Sequence, residues 1–159
     1  MIKSHTYQLD IIWTGNNGSG TADYAAYRRD YTLQCNNKPD MHCSADTPFR
    51  GDPNKYNPED MFLSSLSSCH MLWYLHLCAD AGIIVTEYHD HATGLMTESY
   101  NGGGGKFVEV LLSPKVTVAD ASMVDKAYEL HDAARDKCFI ANSCNFTVMH
   151  RPECRSFNI

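Results

Sequence analysis

Seven cysteines and eight histidines are the residues of this 159-residue chain best suited to chemistry. Two thiols stand apart. Cys69 follows Ser67 and Ser68 in the middle of a long apolar segment, and Cys138 follows Arg135, Asp136 and Lys137 at the end of a second helical stripe. Each ends or interrupts a surface that should face a core. If the two helices pack together the thiols meet, and neighbouring thiols can cycle between dithiol and disulfide. Spacing alone is better served by ordinary burial, because free cysteine is among the most buried residue types. Cys35, Cys43, Cys78, Cys144 and Cys154 carry no assignable role and read as small apolar residues.

The other chemical candidates are weaker. His89 and His91 share one strand face and could hold an ion together, while His70 and His76 are poorly matched to one helix face. No paired C-x-x-C spacing occurs, so no resident metal is expected and the histidines read as solvent-exposed. The glycine run before Lys106 is no phosphate loop, because Phe107 stands where the motif needs Ser or Thr. A hairpin turn explains it better.

These side chains need elements to position them. Tyr7, Leu9, Ile11 and Trp13 alternate with polar residues, which predicts a strand with one buried face. Weaker strand signals follow near 21–27 and 30–35, then a polar, proline-containing stretch over 36–56 that reads as a long irregular loop. Asn57-Pro58-Glu59-Asp60 is a helix start, with a capping side chain, proline at the first position and acids at the positive end of the dipole. This helix is expected to run to about Ala81, stop at Gly82 and be buried all round, since its apolar residues point in every direction. Ser64, Ser65, Ser67 and Ser68 would admit a close neighbour. Residues 83–98 and 107–118 predict two strands joined by a hairpin at Asn101–Gly105, with Pro114 marking an edge or bulge. A second helix over 120–137 has Met123, Ala127, Leu130 and Ala134 on one stripe, extended by Cys138. A short strand near 146–150 ends the pattern. Strands, helix, hairpin, helix, strand is an α+β order, not the regular alternation of a parallel sheet.

Composition sets the outer bounds. The length is that of a single domain over 1–159, burying roughly 70% of its unfolded surface. With 43% hydrophobic and 20% charged residues it is no disordered tail. A net charge of −6 argues against nucleic acid as a partner. No run approaches the roughly 20 apolar residues of a membrane span. The first seven residues have no apolar h-region, and the cysteine number is odd, which together predict a cytoplasmic protein with free thiols.

The segment Asn57–His70 resembles the first cysteine motif of the OsmC/Ohr family, and Cys138-Phe139-Ile140-Ala141-Asn142-Ser143 with Asn145 resembles its second. Arg50-Gly51-Asp52-Pro53, Gly94, the glycine loop, Phe107, Glu109-Val110 and Pro114 fit the same pattern, so the likeness covers nearly the whole chain. The position of Arg50 just before the helix places it nearer the OsmC branch than Ohr. The resemblance implies an OsmC-like fold, with antiparallel sheets around a long buried central helix in an interlocked homodimer. It implies a thiol-dependent peroxidase acting on organic hydroperoxides. Carried over by motif, Cys69 is the peroxide-attacking thiol, Cys138 the resolving thiol, and Arg50 with Glu59 the activating pair; Arg28 and Arg29 are fallback arginines. No cofactor is implied, only an external dithiol reductant of lipoyl type.

The chemistry explains why such residues are needed. Only a thiolate attacks a peroxide, and burial favours the neutral thiol. Cys69 lies too far from its helix start for much help from the dipole, so a fixed cation is required. Arginine stays charged, and its fork can hold peroxide oxygens and be oriented by a carboxylate such as Glu59. Cys138 would then condense with the Cys69 sulfenic acid and prevent overoxidation. Met61, Phe62, Met71 and Trp73 offer an apolar lining suited to an organic peroxide. Glu59 and Cys69 are ten residues apart, about 15 Å along a straight helix and on different faces. Either the helix breaks or Glu59 serves the Cys69 of a second subunit. The competing expectations are a non-enzymatic redox sensor, or a small-ligand binding module, on the same fold, and less directly a metal-binding protein.

Overall fold

The structure, a computed structural model, describes residues 3–100 and 103–157. The chain divides into two compact units, Met1–Met61 and Phe62–Ile159. Asn101 and Gly102 of the expected hairpin turn lie outside the described residues.

In the first unit, β1 (Asp10–Trp13), β2 (Tyr31–Gln34) and β3 (Met41–Cys43) form an antiparallel sheet in the order β1-β2-β3. The expected buried face of the first strand is not seen within the chain: Ile11, Ile12 and Trp13 are all exposed. The strand signal over 21–27 is also corrected, because this stretch folds into turns. Arg29 gathers it, donating to the carbonyls of Tyr24 and Tyr27 and lying over both rings at 4.2 and 4.1 Å. The 36–56 stretch is more ordered than expected, since it supplies β3 and a single 3-10 turn at Thr47–Phe49.

Helix α1 spans Pro58–Asp80 without a break. Its start closes reciprocally: the Asp60 amide donates to the Asn57 side chain at 2.8 Å, and the Asn57 amide donates to the Asp60 carboxylate at 3.3 Å. At its end Gly82 takes a φ of 71°. The Gly82 amide bonds the Ala79 carbonyl and the Ile83 amide the Cys78 carbonyl, which satisfies the last turn.

The second unit has two three-stranded sheets. One is ordered β4 (Val85–Asp90), β7 (Pro114–Val118), β9 (Glu153–Ser156); the other is β5 (Thr93–Glu98), β6 (Gly105–Leu112), β8 (Val148–His150). The β4–β7 and β5–β6 pairs are antiparallel, whereas β6–β8 and β7–β9 are parallel, so both sheets are mixed. Each long strand expected from sequence is therefore two strands in different sheets. The Asp90 carboxylate fixes the corner, accepting from the Ser113 amide at 2.6 Å and from the Ser67 hydroxyl. Helix α2 covers Val124–Lys137.

Helix α1 is not buried all round. Only Leu66, His70, Tyr74 and Cys78 are fully buried, one stripe at steps of four, while Leu72 is 62% exposed. Leu66 packs with Val110, Leu112 and Val148, and Tyr74 and Cys78 pack with Val116, Val118, Ala127 and Ala134. No helix among the described residues is long and apolar enough to cross a membrane.

Candidate functional site

The α1 stripe and the α2 stripe face one another in the second unit, and this brings the two singled-out thiols together. Cys69 lies one residue before the buried His70, and Cys138 caps the C-terminus of α2 with extended backbone at ψ 108°. Both are free thiols. The Cys138 thiol is buried and hydrogen-bonds the Cys69 sulfur, and it accepts from the Ala141 amide at 3.5 Å. Burial, then the bond it would lose to Cys69, pushes the Cys138 thiol up to about 11. Two sulfurs in hydrogen-bond contact need little movement to form a disulfide.

A cavity of about 10 Å³ adjoins Cys138, lined also by Leu66, His70, Leu112, Arg135, Ala141, Val148 and His150. Its polar wall is one that sequence reasoning missed. His70 and His131 are buried, not solvent-exposed, and His70 Nε2 lies 3.0 Å from His131 Nδ1. The His131 ring stacks on Tyr74 with centroids 3.9 Å apart. His131 Nε2 is buried without a partner, which is least costly as a bare acceptor, so His131 donates through Nδ1 to His70. Burial lowers both imidazoles, His70 to about 4 and His131 to about 3, with neighbouring imidazoles and, for His70, Arg135 adding to the effect. His150 bonds the Asp132 carboxylate through Nε2 at 3.3 Å, and burial lowers it as well. The sequence signal was present: His70 continues the Leu66–Tyr74–Cys78 stripe, and His131 lies one turn from Ala127.

The remaining predicted residues belong to the first unit. Arg50 follows the Thr47–Phe49 turn in the left-handed region at φ 64°, with its guanidinium 5.9 Å from the Tyr24 ring centre. A side chain at Gly51 would collide with the Ala45 carbonyl oxygen at 1.5 Å, so the Arg50-Gly51 turn requires glycine. Glu59 has Oε2 buried without a hydrogen-bond partner. Burial first, then Cys43 and to a lesser extent Glu59, push the nearby Tyr31 hydroxyl up to about 12. Among the described residues no ion pair joins Arg50 to Glu59. Of the fallback arginines, Arg28 pairs with Asp30 and Arg29 is committed to the two tyrosines. His89, His91 and His76 are exposed, and no group of three or more His, Cys, Asp or Glu suited to a metal occurs among the described residues.

The family model for OsmC-like proteins matches residues 51–150. No curated protein matches the chain in sequence. An OsmC-like protein of unknown function from Vibrio cholerae is 26% identical with a TM-score of 0.83, over 94% of this chain and 100% of that one. An OsmC-like protein from Mycoplasma pneumoniae is 12% identical with a TM-score of 0.73, over 96% of this chain and 99% of that one. An organic hydroperoxide resistance protein from Elizabethkingia anophelis is 18% identical with a TM-score of 0.66, over 98% of this chain and 100% of that one.

Proposed function

We propose that this chain, which belongs to the family of OsmC-like proteins, reduces organic hydroperoxides to alcohols through its paired thiols. The observation that carries the reading is the hydrogen-bonded contact of free Cys69 with free Cys138. The likeness in fold to an organic hydroperoxide resistance protein supports the substrate class.

In the first step the Cys69 thiolate attacks one peroxide oxygen. The O–O bond breaks, the distal OH stays on sulfur as the Cys69 sulfenic acid, and the alkoxide leaves and takes up from solvent the proton that Cys69 gave up on ionising, departing as alcohol. In the second step the Cys138 sulfur displaces hydroxide from the Cys69 sulfur, which gives a disulfide and water. An external dithiol, of lipoyl type in our proposal, exchanges with that disulfide, leaves as its own disulfide and restores both thiols. A reducing cytoplasm would supply such a reductant. Arg50 and Glu59 are proposed as the activating pair, with the guanidinium stabilising the departing alkoxide.

The enzyme reading is tested by peroxide decay under excess dihydrolipoamide. We expect sustained turnover, with cumene hydroperoxide preferred over hydrogen peroxide by at least about tenfold, the scale of one or two well-buried methylenes. Equal rates would remove the organic preference. Oxidation of the thiols without sustained decay would leave the redox-sensor reading in its place.

A homodimer is part of the proposal. The unbroken α1 leaves Glu59 and Cys69 of one copy on separate turns, so a second copy is proposed to complete the site. Ile11, Ile12 and Trp13 in the first unit, and Leu72 in the second, are exposed apolar residues for such a partner to cover. Sedimentation at micromolar concentration should give a dimer; a monomer would overturn this part.

A further inference from the structure

His150 has no part in the chemistry above, yet it shares the cavity beside Cys138 with His70 and Arg135. At about 10 Å³ the cavity has room for about one water molecule, and its wall provides polar partners. His150 reaches it from β8, and its Nε2 faces Asp132, whose side chain is largely exposed. A neutral histidine donating Nε2–H to a carboxylate keeps Nδ1 as an acceptor. His70 is not equivalent, because its Nε2 is already engaged by His131.

We infer that His150, oriented by Asp132, moves the proton in the disulfide-forming step, through the small cavity it shares with Cys138. The inference rests on the peroxidase reading above. Cys138 cannot attack a sulfenic acid as a neutral thiol, and its buried surroundings oppose ionisation. Its proton passes to His150 by way of one solvent molecule. The Cys138 sulfur then forms the S–S bond as the S–O bond of the Cys69 sulfenic acid breaks. The oxygen leaves with the electron pair, takes the proton from the imidazolium and departs as water. Sulfur is oxidised at Cys138 and reduced at Cys69, and no net proton is released. Asp132 stabilises the transient imidazolium as a carboxylate does in a catalytic triad.

The groups that face His150 are His70 from α1 and His131, Asp132, Arg135, Asp136 and Cys138 from α2 and its cap. Arg135 disfavours its charged form, and Asp132 and Asp136 favour it. Burial outweighs both, so the imidazole is a neutral acceptor at pH 7.

The experiment oxidises the full-length protein with one equivalent of cumene hydroperoxide and no dithiol. It follows sulfenic acid by dimedone capture and disulfide by loss of free thiol, in wild type, His150→Gln and Asp132→Asn. The ratio of disulfide-forming to sulfenate-forming rate should fall about 100-fold in His150→Gln and about tenfold in Asp132→Asn. The wild-type disulfide rate should decline below a pH under 6.5 as the imidazole takes a proton, and this inflection should vanish in His150→Gln. An unchanged ratio in both variants, or an unchanged inflection, would overturn the inference. Wild type that forms no sulfenic acid would remove the peroxidase reading and this inference with it. The two failures are separate, because only the second appears in the unmutated protein.

Discussion

Cys69→Ser is expected to lose at least about a thousandfold of peroxide turnover, the scale on which removing a nucleophile acts. A serine hydroxyl has no accessible anion at neutral pH, and the neighbouring Cys138 cannot substitute. Its proton is held chiefly by burial, which the substitution leaves in place. Cys138→Ser should behave differently. It should consume one equivalent of peroxide per chain and then stall, with a single added oxygen on Cys69 by mass spectrometry. With further peroxide that oxygen should become two, since no resolving thiol traps the sulfenic acid. Stopped-flow peroxide consumption without dithiol distinguishes the two variants. A Cys69→Ser protein that still turns over, or a Cys138→Ser protein that cycles without added thiol, would overturn the assigned roles.

The features most legible from sequence are those written in local chemistry. Asn57, Pro58 and Asp60 announce the start of α1, and Gly82 its end, because capping needs particular side chains at particular offsets. The meeting of Cys69 with Cys138 was not legible from spacing, which favoured ordinary burial: Cys69 lies beside the buried α1 stripe and not on it. The division of 83–98 and 107–118 into four strands was not legible. A run of strand-forming residues does not record which sheet it joins, and the corner bonds of Asp90 to Ser67 and Ser113 join residues too far apart in sequence to be read from a local pattern. The apolar surface of α1 was legible as composition but not as burial. Leu72 and its neighbours are sticky whatever covers them, and within the chain only the Leu66 stripe is covered. The histidines were misread for a related reason. An imidazole is polar enough to suggest solvent, yet two neutral imidazoles that share a hydrogen bond are buried here, with His131 Nε2 left as a bare acceptor.

Burial of the pair is tolerated only while both imidazoles are neutral, so acidification from pH 7 to pH 5 is expected to destabilise the protein. The folded-state values, about 4 for His70 and about 3 for His131, lie below the ordinary 6.5. Above pH 6.5 both imidazoles are neutral whether the chain is folded or not, and the pair contributes no pH dependence. Below it the unfolded chain binds protons that the fold refuses, so stability falls as pH falls. The loss continues until the folded pair itself takes protons near pH 4 to 3. Each imidazole accounts for about 1.4 kcal/mol per pH unit, so the two together cost about 4 kcal/mol between pH 6.5 and pH 5. A large share of a typical domain's stability is at stake. Urea denaturation at pH 7 and pH 5 measures it, with a His70→Leu/His131→Phe double variant as the comparison. Replacing both partners avoids leaving one buried nitrogen unpaired, and phenylalanine keeps the stack on Tyr74. The double variant should lose about 4 kcal/mol less than wild type on the same acidification. An identical loss in both proteins would mean that the buried pair is not what makes this fold acid-sensitive.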